Sequence, residues 1–123
     1  MKVDSHNYGD KADRTVARNY EEVLSRLTPE KIDLLHAILG LNGEVGELTE
    51  AFKKHLFYGK PLDNQDMAKE VGDMYWYSAL AVKCLKTTIN EIMPGNIEKL
   101  KKRYPEQFSE KDAIERKDVN ETT

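Results

Sequence analysis

Two short acidic motifs hold the residues best suited to chemistry in this chain: Glu44-Val45-Gly46-Glu47 and Glu70-Val71-Gly72-Asp73. Each sets two carboxylates at i and i+3, neighbours on one face of a helix. The chain between Glu47 and Glu70 is long enough to finish one helix, turn around Gly59-Lys60-Pro61 and start another. The two helices can therefore return antiparallel, with the acid pairs facing each other. Their positions matter more than their number. At 100° per residue, Glu44 lies only about 60° from the Leu41–Leu48–Phe52 stripe. Asp73 shares its line with Tyr77, Leu80 and Cys84, and Glu70 falls between Met67 and Met74. Four carboxylates brought together at the border of a core repel one another and lose hydration, which drives their pKa values up. A divalent cation removes that conflict, and oxygen-only ligands select a hard ion such as Mg²⁺. Acid pairs at this spacing are also common on solvated helix faces. It is the recurrence of the pair, each time beside an apolar stripe, that favours the metal.

The glycines point the same way. Gly40, Gly43 and Gly46 recur every three residues beside the acids. Each costs about 1 kcal/mol relative to alanine inside a helix. Close approach of another helix or a bulky ligand would account for that cost.

The elements that must carry these motifs read as helices. Val16, Tyr20, Val23 and Leu27 predict a short helix over roughly Ala12 to Arg26. Thr28 can cap the next helix, and Pro29 suits its first position. The stripe Leu34, Ile38, Leu41, Val45, Leu48, Phe52, Leu56 then predicts one long helix, stopped by Gly59 and followed by Pro61. A third helix is expected from Asn64 or Gln65 to Leu85, apolar nearly all round from Met74 to Val82. A helix like that is buried on most sides, so a partner subunit is expected to help cover it. Thr88 and Glu91 stand at capping-box spacing and open a fourth helix, with Ile89, Ile92, Ile97 and Leu100 as its apolar face. Pro94-Gly95 is expected to kink or interrupt it. No segment alternates with period two for long enough to suggest a strand. The fold class is all-α, an antiparallel bundle of four to five helices completed by oligomerisation.

The chain is expected to form a single domain over residues 1–123, with its core at about 12–108. Residues 1–11 and 109–123 lack hydrophobic periodicity and read as a flexible arm and a flexible tail. Nineteen basic residues against 22 acidic give a net charge of −3, which argues against dedicated duplex nucleic-acid binding. No stretch approaches the roughly 20 apolar residues of a spanning helix, so no membrane role is expected. The polar start, the lone Cys84 and 33% charged residues predict a cytoplasmic protein.

At the acidic motifs the sequence resembles the MazG-like, all-α nucleoside triphosphate pyrophosphohydrolases. Their E-x-x-E, spacer, E-x-x-D signature is matched by Glu44, Glu47, Glu70 and Asp73 in type, order and spacing. The segment Lys53-Lys54-His55-Leu56-Phe57-Tyr58-Gly59-Lys60-Pro61-Leu62 is similar to the inter-helix segment of small phage and bacterial members. Asn96-Ile97-Glu98-Lys99-Leu100-Lys101-Lys102-Arg103-Tyr104-Pro105 is similar to their C-terminal Asn–Lys–Arg helix. The likeness covers roughly residues 30 to 108.

The resemblance implies hydrolysis of a nucleoside triphosphate at the α–β phosphoanhydride, giving the monophosphate and pyrophosphate. It implies Mg²⁺, with Mn²⁺ as a substitute, held by Glu44, Glu47, Glu70 and Asp73, which are also the catalytic carboxylates. Asn96, Lys99 and Arg103 become candidates for holding the nucleotide, and Lys53 or Lys54 for reaching a phosphate. A homodimer or homotetramer is implied as well. Two features depart from the family pattern: Gly43 stands where many members carry a further glutamate, and Pro94-Gly95 falls in a helix usually continuous.

Other residues carry less. Tyr75, Trp76 and Tyr77 can stack a base, but aromatics on an apolar helix are more often core or interface. His36 and His55 lack the E-x-x-H spacing of di-iron carboxylate bundles. Cys84 reads as a small core residue. The alternative function is a non-catalytic helical module for nucleotide binding or protein interaction. Intact acidic motifs favour the enzyme, since a scaffold would gain by replacing buried acids with apolar residues.

Overall fold

In the computed structural model, residues 2–120 are described, with the side chain of Asn120 left aside. All regular structure among them is helical. The helices are α1 (Tyr8–Asp13), α2 (Tyr20–Ser25), α3 (Pro29–Tyr58), α4 (Asn64–Cys84), α5 (Ile89–Arg103), α6 (Glu110–Glu115) and α7 (Lys117–Asn120). The chain divides into two units, residues 1–32 and 33–123.

The first unit holds α1 and α2. The single helix expected from Ala12 to Arg26 is instead two short ones separated by residues 14–19. The break has local causes. The Thr15 hydroxyl turns back onto the Ala12 carbonyl, and Arg18 bonds the Asp13 carbonyl and carboxylate, so side chains take over the end of α1. The arm expected over residues 1–11 contributes the first residues of α1. Met1 lies outside the described residues.

Cap chemistry sets the remaining boundaries. Thr28 Oγ1 accepts from the Lys31 N–H, and Pro29 opens α3, as the sequence predicts. Gly59, at φ +70°, ends α3, and its N–H donates to the His55 carbonyl. The Asp63 carboxylate caps α4 by accepting from the Gln65 and Asp66 N–H groups. Thr88 caps α5 through the Glu91 N–H, but the Glu91 carboxylate takes the Thr87 hydroxyl at 2.6 Å rather than closing a reciprocal box.

Two expectations are corrected here. Helix α5 runs through Pro94-Gly95 without interruption. Proline there removes one backbone bond near the exposed start of the helix, where the freed carbonyl can turn to water. The segment expected as a loose tail carries α6 and α7, which pack on α5. Ser109 caps α6 through the Asp112 N–H, and Arg116 makes the sharp bend before α7 in a left-handed conformation, φ 52°. Residues 121–123 of that tail lie outside the described residues.

Very little side-chain surface is hidden. Among the described hydrophobic residues Ala37 alone is buried. Leu39, Phe57, Tyr75 and Trp76 are each at least 60% exposed.

Candidate functional site

The second unit brings the acidic motifs together on α3 and α4. One carboxylate oxygen each from Glu44, Glu47 and Glu70 lies within 4.8 Å of the others. Glu44 and Glu70 are half-buried and Glu47 is exposed. Asp73, one turn beyond Glu70 on α4, is exposed and stands outside this group of three. Its charge still acts on Glu47 and Glu70.

The crowding shows in the electrostatics. Glu47 is held above the ordinary glutamate value, first by a hydrogen bond shared with the Glu70 carboxyl, then by repulsion from that group, by burial and by the Asp73 charge. Glu70 is raised chiefly by its hydrogen bond with Glu44. Burial and the charges of Glu44 and Asp73 add to this, and the bond with Glu47 works against it. Glu44 Oε2 and Glu70 Oε2 are buried without a hydrogen-bond partner. Such atoms are rare in folded proteins, because burying an unpaired acceptor costs free energy. The donor set is all carboxylate oxygen, which suits a hard divalent cation.

Helix packing holds the cluster in place. A Cβ on Gly40 would lie 2.2 Å from Tyr77 Cε1, so the tyrosine ring of α4 rests directly on the α3 backbone one turn before Glu44. That ring makes edge contacts with His36 and Trp76. The close approach expected at the glycines is therefore present at Gly40, while a Cβ on Gly43 or Gly46 would meet nothing within 4 Å.

A cleft of about 210 Å³ opens beside the cluster, lined by Glu47 and Glu70 together with Lys54, Lys60, Asp63 and Asp66. Lys54 lies 3.8 Å from Glu50. Lys53 pairs with Glu50 at 3.3 Å and lies over the Tyr58 ring. His55 Nδ1 meets the Lys60 carbonyl at 2.8 Å, and the Lys60 N–H donates to the Lys54 carbonyl, so the turn at the cleft is pinned. Lys60 falls in the turn that Gly59 and Pro61 mark in the sequence, but no motif singles out Asp63 or Asp66. The Asp63 cap in front of an apolar stripe is the local signal for that end of the cleft.

Asn96, Lys99 and Arg103 lie on α5, and none of them lines this cleft. Asn96 and Lys99 are exposed. Arg103, the last residue of α5, is engaged by the tail. Its Nε donates to Asp118 Oδ1 at 3.0 Å and its Nη2 to Oδ2 at 2.9 Å. Arg116 Nε reaches Asp118 Oδ1 at 3.5 Å. The Asp118 side chain is 1% exposed, and the two guanidinium groups, Arg103 foremost, hold it far below the usual carboxylate range. Sequence reasoning missed Asp118 because a single acid in a polar segment carries no periodic signal. Ser109 and Asp112, at N-cap spacing, are the trace of order there.

The second unit is thus all-helical and brings carboxylates from two consecutive helices together. The profile of the MazG nucleotide pyrophosphohydrolase domain matches residues 32–108, and the chain belongs to that family. No curated protein and no solved structure matches the chain significantly. Among the described residues no helix is long and apolar enough to cross a membrane.

Proposed function

We propose that this chain hydrolyses nucleoside triphosphates at the α–β phosphoanhydride with Mg²⁺, or Mn²⁺ in its place, releasing a nucleoside monophosphate and pyrophosphate. The observation that carries the reading is the Glu44–Glu47–Glu70 cluster with two buried, unpartnered carboxylate oxygens, in a chain of the MazG family. Glu44, Glu47, Glu70 and Asp73 would hold the cation. When bound, the ion supplies positive charge against the triphosphate and eases deprotonation of water.

The chain's own groups have distinct tasks in this reading. A carboxylate of the cluster accepts the proton of the attacking water. Lys54, half-buried at the cleft, offers an ammonium to a phosphate. Asn96, Lys99 and Arg103 share one face of α5 and offer an amide, a point charge and a planar fork to the nucleotide.

We read the chain as one domain over residues 1–123, with its core at about 12–108, working in the cytoplasm as a dimer or tetramer. In that assembly an antiparallel bundle of four to five helices is completed by the partner subunit. The exposure of Tyr75 and Trp76 supports the assembly, since a lone unit leaves these rings in water.

Pyrophosphate release from a panel of canonical and damaged triphosphates, with Mg²⁺ and with chelator, tests the reading. Release from at least one substrate, lost with chelator, is expected. Silence across the panel, with nucleotide still bound, would leave the non-catalytic module. Sedimentation at micromolar concentration tests the assembly, and a stable, active monomer would contradict it.

A further inference from the structure

The nucleotide contacts proposed above do not involve the C-terminal tail, yet the tail makes a two-bond polar contact with the last residue of α5. Asp118 grips Arg103 through both carboxylate oxygens and is itself almost wholly hidden from solvent, at 1% exposure. Arg103 keeps 19% of its side chain exposed. A guanidinium has five N–H donors, and the fork to Asp118 uses one on Nε and one on Nη2. The Nη1 amino group is not part of that fork.

Charge counts in the same direction. One carboxylate stands against two guanidinium groups, Arg103 and Arg116, so these three side chains together keep one positive charge. Lys99 lies one turn before Arg103 on the same helix. A long, flexible arginine that must meet a phosphate loses rotamer entropy on binding unless its plane is already fixed. A buried carboxylate on the far edge of the fork fixes it, as outer-shell partners orient ligating side chains at metal sites.

We propose that Asp118 is a positioning residue: α7 docks on α5 so that this carboxylate holds the Arg103 guanidinium in one plane and presents its remaining donors to the phosphates of the nucleotide. The inference rests on the reading of Arg103 as a phosphate ligand given above. It makes the tail a working part of the substrate site.

The test is a double-mutant cycle on the full chain: Asp118→Ala, Arg103→Ala and the pair, with Asp118→Asn as the shape-preserving variant. The readouts are KM and kcat for pyrophosphate release, and calorimetric binding of a non-hydrolysable α,β-imido triphosphate with Mg²⁺. Asp118→Ala should raise KM and weaken analogue binding roughly tenfold, the lower end for losing an outer-shell partner. Its kcat should stay near that of the parent chain, and Asp118→Asn should fall between the two. In the Arg103→Ala background the Asp118 change should add nothing, because the carboxylate acts only through that arginine.

Additive losses would mean that Asp118 merely holds the tail, and would overturn the proposal. So would an unchanged KM, or tighter nucleotide binding in Asp118→Ala, the signature of a carboxylate that competes with phosphate. A parent chain that hydrolyses the panel while Asp118→Ala is indifferent sinks only this inference. A parent chain that neither binds nor hydrolyses triphosphate sinks the functional reading with it.

Discussion

Glu47 and Glu70 sit where a carboxylate is hard to ionise, and two consequences can be measured. Replacing Glu47 by Gln, or Asp73 by Asn, removes one charge from the cluster. Turnover should fall to background while the metal-free protein keeps its helicity and melts no lower than the parent, because like-charge repulsion is relieved. Parent-level turnover in either variant, with a melting point below the parent's, would count against the assignment. Both glutamates have raised pKa values, so a cation must displace protons from them. Mg²⁺ affinity should therefore rise with pH across the range just above the ordinary glutamate value. Calorimetry in buffers of different ionisation enthalpy should show net proton release in that range, and zero release there would contradict the raised values. At this scale the sequence was informative where residues recur in a pattern. Spacing alone paired Glu44 with Glu47 and Glu70 with Asp73. It could not say that Glu44, Glu47 and Glu70 form the tight group while Asp73 stands slightly apart, because that depends on how two helices are rotated against each other.

Several helix boundaries in the second unit trace to a single side chain or glycine, and those positions respond separately to substitution. Asp63→Ala removes the α4 cap and should cost about 1 kcal/mol in denaturant unfolding. Gly40→Ala would push a methyl group into the Tyr77 ring, which is itself hemmed in by His36 and Trp76. Overpacking of that kind costs roughly 1–3 kcal/mol. Gly43→Ala meets open space within the chain, so a lone subunit should gain up to about 1 kcal/mol from better helix propensity. If Gly43→Ala instead lowers stability and shifts sedimentation toward smaller species, another copy approaches at that glycine. The long helices were legible because their apolar stripes persist over many turns, with Gly59 ending α3 and Thr88 opening α5. The first unit was not, since two six-residue helices give a pattern too short to separate from one longer helix. Continuity through Pro94 was misjudged because the cost of one lost bond depends on where in the helix it falls.

For the whole molecule, the tail and the thin core govern behaviour under stress. Asp118 titrates far below its ordinary value near 3.8 because Arg103 stabilises its charged form. A depressed folded-state value means that the contribution is present above the unfolded value and disappears as pH falls toward the folded one. The stability difference between the parent chain and Asp118→Asn should thus be constant from neutral pH to about 5 and shrink below about 4. A difference that grows on acidification would refute the ion pair. The docked tail was not legible, because its anchor is one acid meeting an arginine fifteen residues earlier, a contact that no periodicity announces.

The scarcity of buried side chains, with Ala37 the sole hydrophobic one fully out of water among the described residues, has a thermodynamic corollary. In the proposed assembly, a chain that buries so few apolar side chains by itself would draw its cohesion from mass action. Dilution then becomes a denaturant: the melting temperature should climb with the logarithm of protein concentration, and any quoted midpoint is meaningful only beside the concentration at which it was taken.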